Sequence, residues 1–398
     1  MRDFVSLLIA YMLMAFADSV DNAFSHNISL DAVVVCGCIS AIGQLTRSLA
    51  KFGTYSYRII RKHETQCLQL DLISSSIVGI VVFFSKDLLI SLFQITQSQQ
   101  ELFRSMLIVW SFYIPFSIMG NATFEMVRLQ GKIKLFNTGL FIFYVFLILS
   151  DIVAFTQFHT LESLWVATCI SQIIAFIFFT YNMRWKFELL TINFLKEALP
   201  YGISICGERL VNGICLLLYG VLASKLDNMS YAVHSICNSI MCSAEEITNS
   251  YNSALMIKAP LDKPFKETLD SIKYWFKKVV PLLIVTYYIY MYTTLFIEHG
   301  KVPIEECFPW FIAYTFEFIG LCIYENFKVL CAVQKYVKAL PLGAVGGFCC
   351  RFGISALGFL TPFPLIFFGI SSCIDWSVRG LIYYRSVYKH SLSSSVDN

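Results

Sequence analysis

The stretch KLFNTGLFIFYVFLILSDIVAFTQF, residues 134–158, is followed after two residues by LESLWVATCISQIIAFIFFTYNM, residues 161–183. Each run exceeds the roughly 20 apolar residues that cross the hydrocarbon core of a bilayer. Past Lys134 the first holds one charged residue, Asp151, and the second holds only Glu162. Two such runs separated by two residues read as a transmembrane helical hairpin.

The same pattern continues in both directions. Apolar runs bounded by polar clusters predict spans at 3–24, 31–57, 67–93, 101–129, 134–158 and 161–183, then at 196–224, 229–257, 274–298, 305–333, 338–361 and 363–386. Of the 398 residues, 57% are hydrophobic and only 14% charged, against roughly 25% charged in soluble domains. So little charge cannot clothe a globule in water, so the outer surface must face lipid. The expected fold class is therefore an all-α membrane protein of about twelve transmembrane helices. A soluble enzyme is excluded on composition, and no nucleophile–base pair, metal cluster or phosphate loop marks a membrane face. The net charge of +3 points to no nucleic acid.

Basic residues alternate between loops. Arg58, Arg61, Lys62, Lys132, Lys134, Arg184, Lys186 and Lys196 follow even-numbered spans, as do Lys258, Lys263, Lys266, Lys273, Lys277, Lys278, Lys335 and Lys338. The other loops hold only Lys225 and Lys301, with Lys86 and Arg104 as mild exceptions inside flanking spans. Lys and Arg are retained on the cytoplasmic side, so both termini are expected there, in a plasma or inner membrane. The first apolar run passes through Asp18 and Asp21 without a cleavage site and reads as a span rather than a signal peptide. The fourteen cysteines mostly sit singly in apolar runs and read as small packing residues.

The polar stretch 184–195 is the natural seam between an N-terminal six-helix lobe (1–183) and a C-terminal one (196–386), with 387–398 as a cytoplasmic tail. Leu129-Gln130 with Lys134 corresponds to Val333-Gln334 with Lys338 at a constant offset of 204, and NISLDAVVVCGCIS (27–40) is similar in pattern to KLDNMSYAVHSICNS (225–239). A parallel six-plus-six repeat is expected, two pseudo-symmetric bundles able to open to alternate sides of the membrane. The segment 261–278, with lysines among Leu, Phe, Tyr and Trp275, predicts an interfacial helix leading into span nine.

Ionisable side chains at membrane depth are costly and face an interior or a watery cavity. Candidates are Asp18, Asp21, Arg47, Asp71, Glu125, Asp151, Glu208, Arg209, Glu245, Glu246, Glu317, Glu325, Arg351 and Asp375. Some have structural explanations. Arg47 and Asp71 lie near span ends, where they can pair or snorkel. Glu125 sits three residues before Arg128, a helix-surface pair. Asp21, Asp151, Glu208 and Glu325 are harder to assign to structure. Burial disfavours the charged form of a carboxyl, so such a group can take up and release a proton, as a proton-coupled transporter requires. Asp18, Asn121, Asn212, His234 and Glu317 are candidate lining residues of a substrate cavity. A histidine near a span's outer end is more often a helix-packing or interfacial residue, and His234 has that reading too.

At these positions the chain resembles the multidrug and toxic compound extrusion (MATE) family of the multidrug/oligosaccharidyl-lipid/polysaccharide (MOP) flippase superfamily. Val20-Asp21 is similar to the family's Val-Asp in span one. Asp151, with Glu162 and Ile170-Ser171-Gln172 after it, resembles the span-five aspartate and its sequel. Leu199-Pro200 with Glu208 resembles the opening of span seven, and Tyr231–Ile236 with His234 the opening of span eight. Glu325 falls near an acidic position of span ten. The likeness runs over nearly the whole chain at low identity, with departures at Lys51-Phe52, at Met256–Lys258 and at Leu147, where sodium-using members carry an asparagine. It implies a monomeric secondary antiporter that exports amphipathic, often cationic, organic compounds. Protons rather than Na⁺ would be coupled at Asp21, Asp151, Glu208 and Glu325, with no other cofactor. A lipid or lipid-linked glycan flippase of the same superfamily, and a divergent non-transporting membrane protein, are the alternatives.

Overall fold

The computed structural model describes residues 2–186, 188–258, 265–333 and 339–396, with the side chains of Glu208 and a few others, chiefly beside the gaps and at the chain ends, left outside the description. The described chain is helical with no strand: α1 (Arg2–His26), α2 (Leu30–Ala50), α3 (Phe52–Ile60), α4 (Glu64–Ser91), α5 (Gln97–Leu129), α6 (Ile133–Gln157) and α7 (Leu161–Met183). There follow α8 (Ile192–Ala223), α9 (Asn228–Lys258), α10 (Phe265–Glu298), α11 (Ile304–Thr315), α12 (Glu317–Val333), α13 (Ala339–Gly358) and α14 (Pro364–Val396). Among the described residues eleven helices, α11 and α12 counting as one, are long and apolar enough to cross a membrane. The 31-residue α9 has the length but is too rich in Ser, Asn and Glu to score as apolar. With it the helices correspond to the twelve expected spans, and the chain is a multi-pass membrane protein.

Local chemistry sets the starts. Ser29, Thr160 and Thr191 take extended backbone and accept the N–H of Ala32, Ser163 and Phe194, capping α2, α7 and α8. Thr96 and Gln99 form a reciprocal capping box at α5, satisfying donors that a helix start otherwise leaves bare.

Four boundaries differ from expectation. Span two is not one helix: the chain breaks at Lys51 and resumes as α3. Span ten turns at Phe316, dividing α11 from α12. The segment predicted as a separate interfacial helix is, from Phe265 on, the first part of the unbroken α10, which runs through Pro281; residues 261–264 lie outside the description, as do Gln334 and Lys338 of the proposed repeat. The expected tail after 386 is a continuation of α14.

Packing forms two compact units, Met1–Ser19 with Val233–Asn398, and Val20–Ala232. These follow a different line from the two six-helix lobes, which remain a proposal. In the Val20–Ala232 unit, α8 lies along α2 and α3. Gly213 and Gly220 allow that approach: a Cβ on Gly220 would lie 2.4 Å from Ala41 Cβ, and one on Gly213 2.7 Å from Leu45 Cα. Small residues at helix contacts are the usual means of close packing in lipid. The Ser56 hydroxyl also donates to the Ala198 carbonyl across α3 and α8 at 2.8 Å. In the other unit α14 packs on α11, α12 and α13. The first part of α1 is tied there by Tyr11 to Ser253 at 3.0 Å and by Tyr290, whose hydroxyl donates to the Ala15 carbonyl at 2.9 Å.

Candidate functional site

Each unit carries its own set of ionisable groups. In the Val20–Ala232 unit Asp151 on α6 is among the most buried. It is fully buried, and neither carboxyl oxygen has a hydrogen-bond partner. Leu147, one turn earlier, is buried and apolar. The charge of Asp21 acts on Asp151. The local framework explains why: Phe24 and Phe155 pack with ring centroids 5.2 Å apart, and Asp21 and Asp151 sit one turn back along α1 and α6 respectively. Two acids expected to act together are thus neighbours. An isolated ionised carboxylate in such a place is costly, and two are worse. As neutral acids both are tolerated. The arrangement is chemically suited to holding a proton.

The other expected residues of this unit are more ordinary. The Asn121 amide donates to the Ser117 carbonyl of its own helix at 2.7 Å. Asn212 is half-buried on α8. Glu208 lies on the same helix, its side chain outside the description. Asp71, expected to pair or snorkel, accepts from the Gly53 N–H at 2.7 Å, the Thr54 N–H at 2.9 Å and the Thr54 hydroxyl. It is the cap of α3, supplied from α4. Glu125 is held chiefly by Arg58 on α3, at 2.5 and 3.1 Å in a bidentate pair, with the expected Arg128 at 3.9 Å.

In the second unit buried charges gather where α9, α12, α13 and α14 meet. Asp375 is fully buried between two arginines, 2.5 and 2.9 Å from Arg379 and 3.7 Å from Arg351. Glu317, the first residue of α12, is also fully buried; its Oε1 accepts from Trp376 Nε1 at 2.6 Å and its Oε2 has no hydrogen-bond partner. Glu245 on α9 lies within electrostatic reach of Glu317, Arg351, Glu246 and Glu325. Glu325 is anchored by the Asn252 amide and by Lys328 at 3.8 Å. His234 is buried, its Nδ1 2.7 Å from the Tyr314 hydroxyl and its ring against Phe368. Asp18 belongs to this unit, where its charge is felt at Tyr290.

The sequence reading missed Arg379, Trp376 and the fully buried Glu298, which accepts from Ser239 at 3.2 Å. Arg379 had a readable signal, since Asp375 and Arg379 are spaced i,i+4 as a helix pair requires. Glu298 had none, standing at a helix end. Among the described residues no cluster of three His, Cys, Asp or Glu could hold a metal ion.

The helix arrangement is similar to that of solved MOP superfamily transporters. The likeness to solved structures runs over nearly the full chain. An inward-facing multidrug resistance MATE family transporter of that superfamily matches with a TM-score of 0.71 at 13% identity, covering 98% of both chains. The lipid II flippase MurJ in an inward closed conformation matches with a TM-score of 0.73 at 17% identity, covering 97% of this chain and 87% of that one. A MOP superfamily transporter from Pyrococcus furiosus, whose binding pocket is described as reversed in polarity, matches with a TM-score of 0.66 at 14% identity, over 98% and 95%. No family model and no curated protein matches the chain. Identities this low establish the fold, as the resemblance anticipated, for a divergent sequence.

Proposed function

We propose that this protein is a proton-coupled secondary transporter that exports amphipathic organic compounds, cations among them, by alternating access. The observation that carries the reading is Asp151, buried in α6 with neither oxygen hydrogen-bonded and with the Asp21 carboxyl as its neighbour. A carboxyl so placed gains nothing structurally from its charge, but it binds and releases a proton. If one conformation wets the pair and another seals it, protonation shifts the balance between them by the difference in proton affinity. MATE structures among the fold neighbours support the same direction.

The test is transport in proteoliposomes under an imposed pH gradient, with ethidium as the organic cation. Ethidium should move against the proton flow, and Asp151→Asn and Asp21→Asn should each abolish that movement while the protein stays monodisperse. Ethidium movement unchanged in both variants would sink the reading.

A lipid flippase is the second reading, favoured by the likeness to MurJ. It needs cations free to meet a phosphate. Several arginines instead face carboxylates or backbone: Arg351 and Arg379 share Asp375, Arg58 holds Glu125, and Arg47 donates to the Gly43 carbonyl of its own helix. Movement of a fluorescent polyprenyl pyrophosphate across the vesicle, with none of ethidium, would reverse the order.

A further inference from the structure

In the unit that contains α10 to α14, an apolar groove of about 320 Å³ opens between α10 and α12. Phe276, Val280, Ile284 and Tyr288 line it from α10 at intervals of four, facing Phe318 and Ile319 of α12. Ile284 and Ile319 are 41% and 50% exposed, so the groove is open along its length. The Tyr288 hydroxyl donates to the Thr315 carbonyl at 3.4 Å, which occupies the one phenolic group on its α10 wall.

The groove does not end in apolar residues. At 100° per residue, Lys266, Lys273 and Lys277 fall on the same arc of roughly 120° as the four groove residues of α10. Lys277 sits beside Phe276 within that stripe, and Lys273 and Lys266 extend it for nearly three further turns toward the start of the helix. All three lysines are exposed. The carboxylates nearby are Asp270, at the edge of the arc and 3.8 Å from Lys273 in a pair exposed on both sides, and Glu267, about 60° outside the arc. Lys278 lies off the arc, with its ammonium 4.3 Å over the Tyr274 ring. An apolar slot of membrane depth therefore runs out beneath a net positive stripe. The loop charges assign this end of α10 to the cytoplasmic side, where the leaflet surface is anionic.

We infer that this groove is a binding site for an anionic phospholipid of the lysine-side leaflet. One acyl chain lies along Phe276, Val280 and Ile284 against Ile319, and the phosphate rests on Lys273 and Lys277. A neutral lipid would leave the lysine stripe unmatched. A second copy of the chain related by an axis along the membrane normal would bring two lysine-rich ends together, like charge on like.

The experiment uses the full chain in nanodiscs doped with one of two lipids that carry the same photoreactive acyl chain, phosphatidylglycerol or phosphatidylcholine. Phosphatidylglycerol should label α10 and α12 peptides well above phosphatidylcholine. Lys273→Gln with Lys277→Gln, both on the surface, should cut that labelling roughly tenfold or more, to the phosphatidylcholine level. Ile284→Trp should fill the slot and remove acyl-chain labelling there for both lipids. Equal labelling by the two lipids in the parent protein, which marks a merely annular lipid, would overturn the inference. So would labelling indifferent to the double glutamine variant or to Ile284→Trp, or crosslinks joining two copies through α10.

Discussion

Asp71→Ala should be among the most destabilising single changes at a polar residue in the Val20–Ala232 unit. The Asp71 side chain is fully buried and stands where α2 ends and α3 begins, receiving two backbone N–H groups and one hydroxyl. A hydrogen bond to a charged group contributes about 1.5–3 kcal/mol, and a buried donor left bare costs about 1–3 kcal/mol. These are not additive, since all three bonds share one carboxylate; about 4 kcal/mol is a reasonable total for the alanine variant. Asp71→Asn retains one acceptor oxygen and turns an amide toward a donor, so about half of that is expected. Thr54→Val removes the hydroxyl bond alone and should cost about 1.5–2 kcal/mol.

The assay is thermal challenge of the detergent-solubilised protein followed by size-exclusion chromatography. At an unfolding entropy of about 2 cal/mol/K per residue, 4 kcal/mol corresponds to a midpoint lowered by about 5 °C. Asp87→Asn is the control, because its 3.1 Å pair with Arg104 is 67% exposed on the aspartate side and such pairs contribute about 0–1 kcal/mol. If Asp71→Ala melts with the control, the carboxylate is not holding α3.

Gly53→Ala should reduce the yield of monodisperse protein more than Asp71→Asn does, since its Cβ would lie 1.8 Å from the Cys67 carbonyl oxygen, backbone on backbone. Asp375→Asn leaves Arg351 and Arg379 buried without their shared carboxylate and should cost about 3–5 kcal/mol; adding Arg351→Met should recover part of it in the same melting assay. Burial alone would raise the Asp227 carboxyl, in the loop between α8 and α9, but the Ser230 side chain and backbone N–H, among the donors to it, hold it below its ordinary value. Its stabilising contribution is therefore full above the unfolded pKa of about 3.9 and lost as pH falls through the lower folded value. Protection of the amides at residues 225–231 against hydrogen exchange, relative to their intrinsic rates at each pH, should fall in acid, and Asp227→Asn should remove that dependence.

The spans were legible because hydropathy over about twenty residues is a one-dimensional property, and lipid imposes it uniformly. Helix breaks were not. Pro115, Pro200 and Pro281 lie inside helices that continue past them, whereas the breaks at Lys51 and Phe316 contain no proline. In lipid the groups freed by proline can be satisfied by neighbouring helices, so proline loses its value as punctuation. The break at Lys51 instead depends on a carboxylate 20 residues away along the chain, and that at Phe316 is accompanied by the Tyr288 hydroxyl on the Thr315 carbonyl. Partner choice was equally hidden. Glu125 takes Arg58, 67 residues distant, ahead of Arg128 beside it, because the bidentate geometry rewards a guanidinium that arrives square to the carboxylate.

Depth alone therefore does not mark a functional acid; what matters is whether its charge is already used. Asp71, Glu125 and Asp375 are as buried or nearly so, yet each is met by backbone donors or guanidinium groups that repay much of the desolvation. Removing any one of them should harm folding before it harms transport. Glu325 belongs with them in part, since Asn252 and Lys328 hold it. Asp151 receives no donor, and Glu317 receives one for its two oxygens. A carboxyl maintained in such a place costs stability relative to any apolar residue of similar volume, and the helix around it gains nothing in packing. On that reasoning Glu317 is a stronger candidate than Glu325 for proton exchange in the unit formed by α9 to α14. Glu317→Gln should impair proton-driven flux at little cost in melting temperature, whereas Glu325→Gln should lower both.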